Sequence, residues 1–165
     1  MPFELHLIGD VLLLFKKHKK LVFIGSISFG IGHILYNIEL IRYLYHSTPY
    51  GLVYLHFLWL LLIYLIFFAL IFTYIVFKQK RRIAFASYTA SYFVALGALV
   101  PVSIIISIYN IYGLFLLFGF IVFLISDSVL FISDNLGRHY KYRNIVVSTT
   151  YVTAELLVIL GLLLI

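Results

Sequence analysis

Long unbroken apolar runs constrain this chain more than any other feature. Five of them, over residues 21–45, 51–77, 83–108, 111–133 and 145–165, exceed the roughly 20 residues a helix needs to cross a hydrocarbon core about 30 Å thick. Lipid offers backbone groups no hydrogen-bond partner, so a spanning segment must be a helix or part of a closed barrel, and barrel-type alternation is absent. The predicted fold is therefore all-α: a polytopic transmembrane helix bundle of five full spans plus a short N-terminal helix. That short helix covers 3–15, a length that suits a partial or buried helix. The connecting loops are too short for a second domain, so residues 1–165 read as a single transmembrane domain.

Composition excludes several function classes. With 64% hydrophobic and 11% charged residues and a mean hydropathy of +1.13, a water-soluble domain is ruled out. The absence of Cys removes disulfides, thiolate catalysis and thiolate metal sites. A net charge of +6 raises nucleic acid as a partner. However, the basic residues form short clusters at the ends of apolar runs, which is the membrane-surface pattern, and no nucleic-acid role is assigned.

Those clusters orient the bundle. Lys16, Lys17, Lys19 and Lys20 occupy the first loop, Lys78, Lys80, Arg81 and Arg82 the third, and Arg138, Lys141 and Arg143 the fifth, leaving only Arg42 for the opposite side. The basic loops are expected to be cytoplasmic and both termini outside, in a multi-pass protein of the cell membrane. Tyr43, Tyr45, Tyr50, Tyr54, Tyr109 and Tyr112 form the predicted outer aromatic belt, with Tyr140 and Tyr142 on the inner side. No basic segment precedes the first apolar stretch, so a cleavable signal peptide is not expected.

Against this background four carboxylates stand out. Asp10, Glu39, Asp127 and Glu155, out of six acids in all, fall inside apolar runs. A charge at bilayer depth costs roughly 2.5 to 3.5 kcal/mol on insertion scales, so such groups persist where they pair, line a wet cavity or do chemistry. Counting along the helices puts Asp10 and Asp127 about 9 to 10 Å from the basic ends, Glu155 about 16 Å in and His33 about 20 Å in. A polar column rising from the inner leaflet is the expectation.

The motifs around these residues are Gly9-Asp10, then Gly32-His33-Ile34-Leu35-Tyr36, then Phe123-Leu124-Ile125-Ser126-Asp127, then Tyr151-Val152-Thr153-Ala154-Glu155. The first and third share a small residue followed by Asp and, three positions later, Leu, a short echo between the two ends of the chain. Ser28 and Gly32 form a small-xxx-small pair that admits close helix approach. Ser87, Ser91 and Ala95 read as a packing stripe, with Tyr88 and Tyr92 reaching the cavity, and Pro101 is expected to kink that helix.

In this order the four motifs resemble the YhhN family of membrane proteins, which includes the lysoplasmalogenases, from about Gly9 to the C-terminus. The resemblance implies a membrane helix bundle that hydrolyses the vinyl ether bond of a lysophospholipid of the alkenyl type, giving a fatty aldehyde and a glycerophospho-base, with no cofactor. It carries the catalytic carboxylates over to Asp10 and Asp127, the family's His to His33 and its paired Tyr to Tyr36 and Tyr151. Glu155 stands where that family usually has Gln. With Tyr88, these side chains are the expected substrate-binding set, and membrane lipid is the surrounding partner.

The chemistry suits two carboxylates. Protonation of a vinyl ether carbon gives an oxocarbenium ion, which one carboxylic acid and one ionised carboxylate serve well. Two acids at one depth in a low dielectric would split their titration, and either Asp fits either role. The rival class is a proton-coupled transporter or lipid-handling protein using the same groups as a relay. The paired broken helices common in transporters are not evident, there being one interior Pro. Neither a His-Glu-x-x-His zinc motif nor a Gly-x-Ser-x-Gly elbow occurs, and no metal site is assigned.

Overall fold

The computed structural model describes residues 2–15, 18–47, 50–78, 83–136 and 141–165, with the side chains of 50–58, 83–86 and several single positions outside the description. The described residues form six helices and no strand: α1 (Pro2–Leu14), α2 (Lys19–Ser47), α3 (Tyr50–Thr73), α4 (Ile83–Tyr109), α5 (Gly113–Leu136) and α6 (Arg143–Leu164). Helix α3 runs on into one wider turn, Tyr74–Lys78, of π geometry. Each helix lies within a few residues of its apolar run, because in lipid the backbone must satisfy itself wherever the side chains are apolar. Four segments among the described residues are long and apolar enough to cross a membrane: Phe23–Ser47, Thr89–Tyr109, Gly113–Ser133 and Arg143–Leu164. The protein is an integral membrane protein on that ground.

Among the described residues the interior mixes apolar and polar side chains, while the exterior is strongly apolar. His6, Ser28, His33, Thr89, Ser103, Ser126 and Ser133 are buried, whereas Ile31, Ile34, Leu62, Phe67, Ile108, Phe118, Leu156 and Leu163 face outward. Lipid solvates the apolar side chains, so the interior is left to close packing and hydrogen bonds. Tyr45, Tyr109 and Tyr112 are exposed near helix ends, where aromatic residues suit a membrane–water interface.

The chain divides into two compact units, Met1–Leu99 and Val100–Ile165. In the first, α1 and α2 form an antiparallel hairpin through successive tight turns, His18 N–H donating to Phe15 O at 2.8 Å and Leu21 N–H to His18 O at 2.9 Å. Gly9 allows close approach: a Cβ there would lie 2.5 Å from the Phe29 ring and 3.2 Å from Gly25 O. Ser28 Oγ donates to Leu5 O at 2.7 Å, so the small-xxx-small pair both narrows the interface and bonds across it. The buried stripe of α2 passes through Gly25, Ser28, Phe29, Gly32, His33, Tyr36, Leu40 and Leu44 at spacings of three and four. Position 39 falls off that stripe. Glu39 is consequently exposed, outside the buried column.

Within the same unit, Asn37 Nδ2 donates to His33 O at 2.8 Å and to Ala95 O at 2.7 Å, which fastens α2 to α4. Ser91 of the expected packing stripe is exposed, and Thr89 and Ala90 are the buried neighbours instead. Helix α4 passes through Pro101 and continues to Tyr109.

In the second unit, α4 and α5 are joined by three residues. Asn110 N–H donates to Ile106 O at 2.8 Å and its Oδ1 accepts from Tyr112 N–H at 3.0 Å, an Asx-type turn that halts one helix and starts the next. Gly113 is required there, since a Cβ would sit 2.6 Å from Ser107 N. Helices α5 and α6 then pack antiparallel through Gly119 against Ala154 and Val158, and Gly161 against Leu116.

Candidate active site

The described candidate residues fall into two clusters, one in each hairpin. In the α1–α2 hairpin, His33 and Tyr36 are fully enclosed and Asp10 is half-buried. A residue outside the sequence-based set joins them. His6 is 2% exposed, and its ring centroid lies 4.8 Å from that of His33, 5.2 Å from Tyr36 and 5.0 Å from Phe29. Tyr92, from α4, closes on His33 at 5.3 Å in an edge-on arrangement. Histidine, tyrosine and phenylalanine rings thus form one packed block in which the imidazoles and hydroxyls are the polar elements.

Register places Asp10 relative to this block. The contacts Ser28 to Leu5, Gly9 to Gly25 and His6 to Phe29 set Asp10 level with about residue 25. His33 is then about two helical turns, roughly 12 Å, away along the pair, close to the separation read from the sequence. His6, four residues before Asp10, occupies the level between them. The i, i+4 relation puts His6 and Asp10 on one face of α1, and that spacing is the signal by which His6 was legible beforehand.

In the α5–α6 hairpin, Asp127, Tyr151 and Glu155 are half-buried. The Phe123 and Tyr151 rings meet at 5.3 Å, and Tyr151 Oη donates to Glu155 Oε1 at 3.3 Å. The serines flanking Asp127 are committed to the backbone: Ser126 Oγ donates to Val147 O at 3.2 Å and Ser128 Oγ to Leu124 O at 2.6 Å. The first of these bonds crosses from α5 to α6 and fixes the height of the carboxylate.

Register here departs from the sequence-based depths. Ser126 is level with Val147, Phe123 with Tyr151 and Gly119 with Ala154, so Asp127 and Glu155 are a little over two turns apart, roughly 13 Å, rather than about 6 Å. The expectation measured each depth from its own helix end. Helix α5 extends to Leu136 while α6 begins at Arg143, whose level matches about residue 130. The helix ends are therefore not level.

The two hairpins follow one internal plan. In each, Asp lies one turn beyond a ring on the first helix, that ring meets a ring on the second helix, and one turn further along the second helix stands another ionisable side chain. The sets are Asp10, His6, Phe29 and His33, and Asp127, Phe123, Tyr151 and Glu155. The short sequence echo was thus the visible part of a longer correspondence, hidden because its other members are aromatic residues in aromatic-rich sequence. Tyr88, expected among the substrate-binding residues, has its side chain outside the described residues. Among the described residues no group of three His, Asp or Glu is placed to hold a metal ion.

Compared with known proteins, the chain matches a family model described as the YhhN family over residues 3–162. No curated protein matches it, and no solved structure does.

Proposed function

The chain belongs to the YhhN family, and on that premise we propose that it is a membrane hydrolase that cleaves the vinyl ether bond of lysoplasmalogens. Its products would be a fatty aldehyde and a glycerophospho-base, with Asp10 and Asp127 as the acid and base. The observation that carries this reading is the pair of matching hairpins, each keeping one half-buried Asp one turn from a packed ring pair in a chain that exposes apolar side chains elsewhere. Carboxylates at such positions are costly, and two of them suit a reaction through an oxocarbenium ion.

The reaction needs one carboxyl group in each protonation state. The neutral acid transfers its proton to the β-carbon of the vinyl ether, and the cation that forms on the α-carbon is stabilised by the ionised partner. Water adds to that carbon as the carboxylate removes its proton, giving a hemiacetal. Collapse of the hemiacetal releases the aldehyde and leaves the oxygen on the glycerol with a proton, so the net reaction consumes one water. Tyr36, Tyr151, His33 and Glu155 are proposed to orient the water and the substrate. Lys20, Lys141 and Arg143, at helix termini, would attract the phosphate from the cytoplasmic side of the cell membrane.

Incubating the purified protein in detergent with an alkenyl lysophospholipid should release free aldehyde, while the saturated alkyl analogue, which cannot form the oxocarbenium ion by protonation, should be untouched. Absence of aldehyde would reject the hydrolase reading. A proton flux in vesicles without aldehyde would favour the transporter class.

A further inference from the structure

His6 has no part in the reaction as written, yet it sits at the centre of the α1–α2 block. It is 2% exposed and in ring contact with Phe29, His33 and Tyr36. Burying an imidazole carries a desolvation cost that a phenyl ring does not. Packing alone does not demand it, as the α5–α6 hairpin demonstrates. There Phe123 holds the equivalent place, one turn before Asp127, and meets Tyr151 at 5.3 Å much as His6 meets Phe29 at 5.0 Å.

The polar ring moves between helices but not between levels. In the second hairpin it is Tyr151, whose hydroxyl bonds Glu155 at 3.3 Å; in the first it is His6, against His33 at 4.8 Å. Each hairpin so places one polar ring between its Asp and its second ionisable group. A neutral imidazole has one N–H donor and one bare nitrogen, and can therefore take a proton on one side and release another on the opposite side without acquiring net charge.

We propose that His6 is a positioning residue that passes protons between Asp10 and His33. The inference rests on the hydrolase reading in one respect: whichever role Asp10 takes, its proton changes hands once per turnover. As acid it gives a proton to carbon and regains one from the water that adds; as base it takes that proton and must release it. His6 exchanges this proton with His33, its two nitrogens swapping tautomer, and His33 exchanges it in turn with solvent water, while the other Asp makes the opposite exchange, so the sum over the cycle is zero.

The test uses the full-length protein in detergent with ¹⁵N-labelled imidazoles. Asp10→Asn should shift the His33 ring nitrogens, and the shift should vanish when the same change is made in a His6→Phe background. An equal His33 response with Phe at position 6, or none in either background, would overturn the link. The phenyl ring is already tolerated at the matching place in the other hairpin; should His6→Phe fail to fold, His6→Gln, which hydrogen-bonds but does not relay protons, takes its part. In the aldehyde assay His6→Phe should lower kcat roughly tenfold or more with KM nearly unchanged and thermal stability retained, in line with the contribution of proton-transfer groups. Wild-type kcat in a folded His6→Phe protein would also refute the relay. If the wild-type protein releases no aldehyde, the hydrolase reading fails by itself, and the His33 response still decides whether His6 links the two groups.

Discussion

At the scale of single residues, charge and shape separate cleanly at the two Asp positions. Asp→Asn keeps size and hydrogen bonding while removing acidity, so at Asp127, held at its height by the Ser126 bond to Val147 O at 3.2 Å, the fold should be indifferent to the change. We expect Asp127→Asn and Asp10→Asn to retain the wild-type thermal midpoint in detergent. Aldehyde release should fall by a factor of about 10² or more, as for loss of a general acid or base. A variant keeping more than about a tenth of wild-type turnover would remove that Asp from the chemistry. Ser28 offers the opposite case. Its hydroxyl donates to Leu5 O at 2.7 Å across α1 and α2, and such interhelical bonds contribute about 0.6 kcal/mol and at most about 1.7 kcal/mol. Ser28→Ala should therefore lower stability slightly and leave turnover nearly intact; a loss of turnover with unchanged stability would give this hydroxyl a chemical role.

At the scale of helices, the hairpins depend on backbone approach that only glycine allows at a few points. A Cβ on Gly119 would lie 2.8 Å from Val158 Cγ2 and 3.1 Å and 3.2 Å from the Val158 N and Ala154 O backbone atoms. The neighbours are partly backbone and cannot rotate aside. Gly119→Ala should accordingly destabilise the protein by about 1 to 3 kcal/mol, the usual cost of overpacking. Gly30 is the matched control: its Cβ would meet only the Tyr92 ring edge at 3.7 Å, ordinary contact. Gly30→Ala should be neutral or stabilising by about 0.4 to 1 kcal/mol through the unfolded chain. Equal thermal midpoints for the two variants would show that the α5–α6 approach is looser than these distances require.

At the scale of the whole molecule, the asymmetry of charge makes a prediction about orientation. Eleven of twelve Lys and Arg residues lie in or beside the first, third and fifth loops, and positive charge is retained on the cytoplasmic side. Lys20 and Lys141 are exposed on that set of loops and Ser47 on the opposite set. Cysteines replacing Lys20 or Lys141 should react with an impermeant thiol reagent only after the cells are opened, whereas Ser47→Cys should react in intact cells. The chain has no Cys of its own, so the labelling has no background from the protein. The reverse pattern would invert the topology.

Helix positions and membrane residence were legible in the sequence because both follow from one local quantity, the length of an apolar run set against the thickness of hydrocarbon. The same is true of Asp10, His33, Asp127 and Glu155 as candidates, since an ionisable side chain in such a run is conspicuous wherever it points, whereas Tyr36 and Tyr151 came only from the family resemblance. Which of them are neighbours within a hairpin was a matter of register, and register is set by close-packed glycines and by Ser28 and Ser126, whose effects are not additive along the chain. Glu39 looked equivalent to the other acids until the interior stripe of α2 left it outside. His6 was passed over because its spacing from Asp10 does not say which face of α1 will be buried; it became part of the site only when Gly9 let α1 settle against Phe29 and brought the two imidazoles to 4.8 Å. The sequence by itself determined what must be helical and where charge is expensive, because those depend on the solvent. Tertiary packing alone decided which polar groups share a level, because that depends on how closely two backbones can approach.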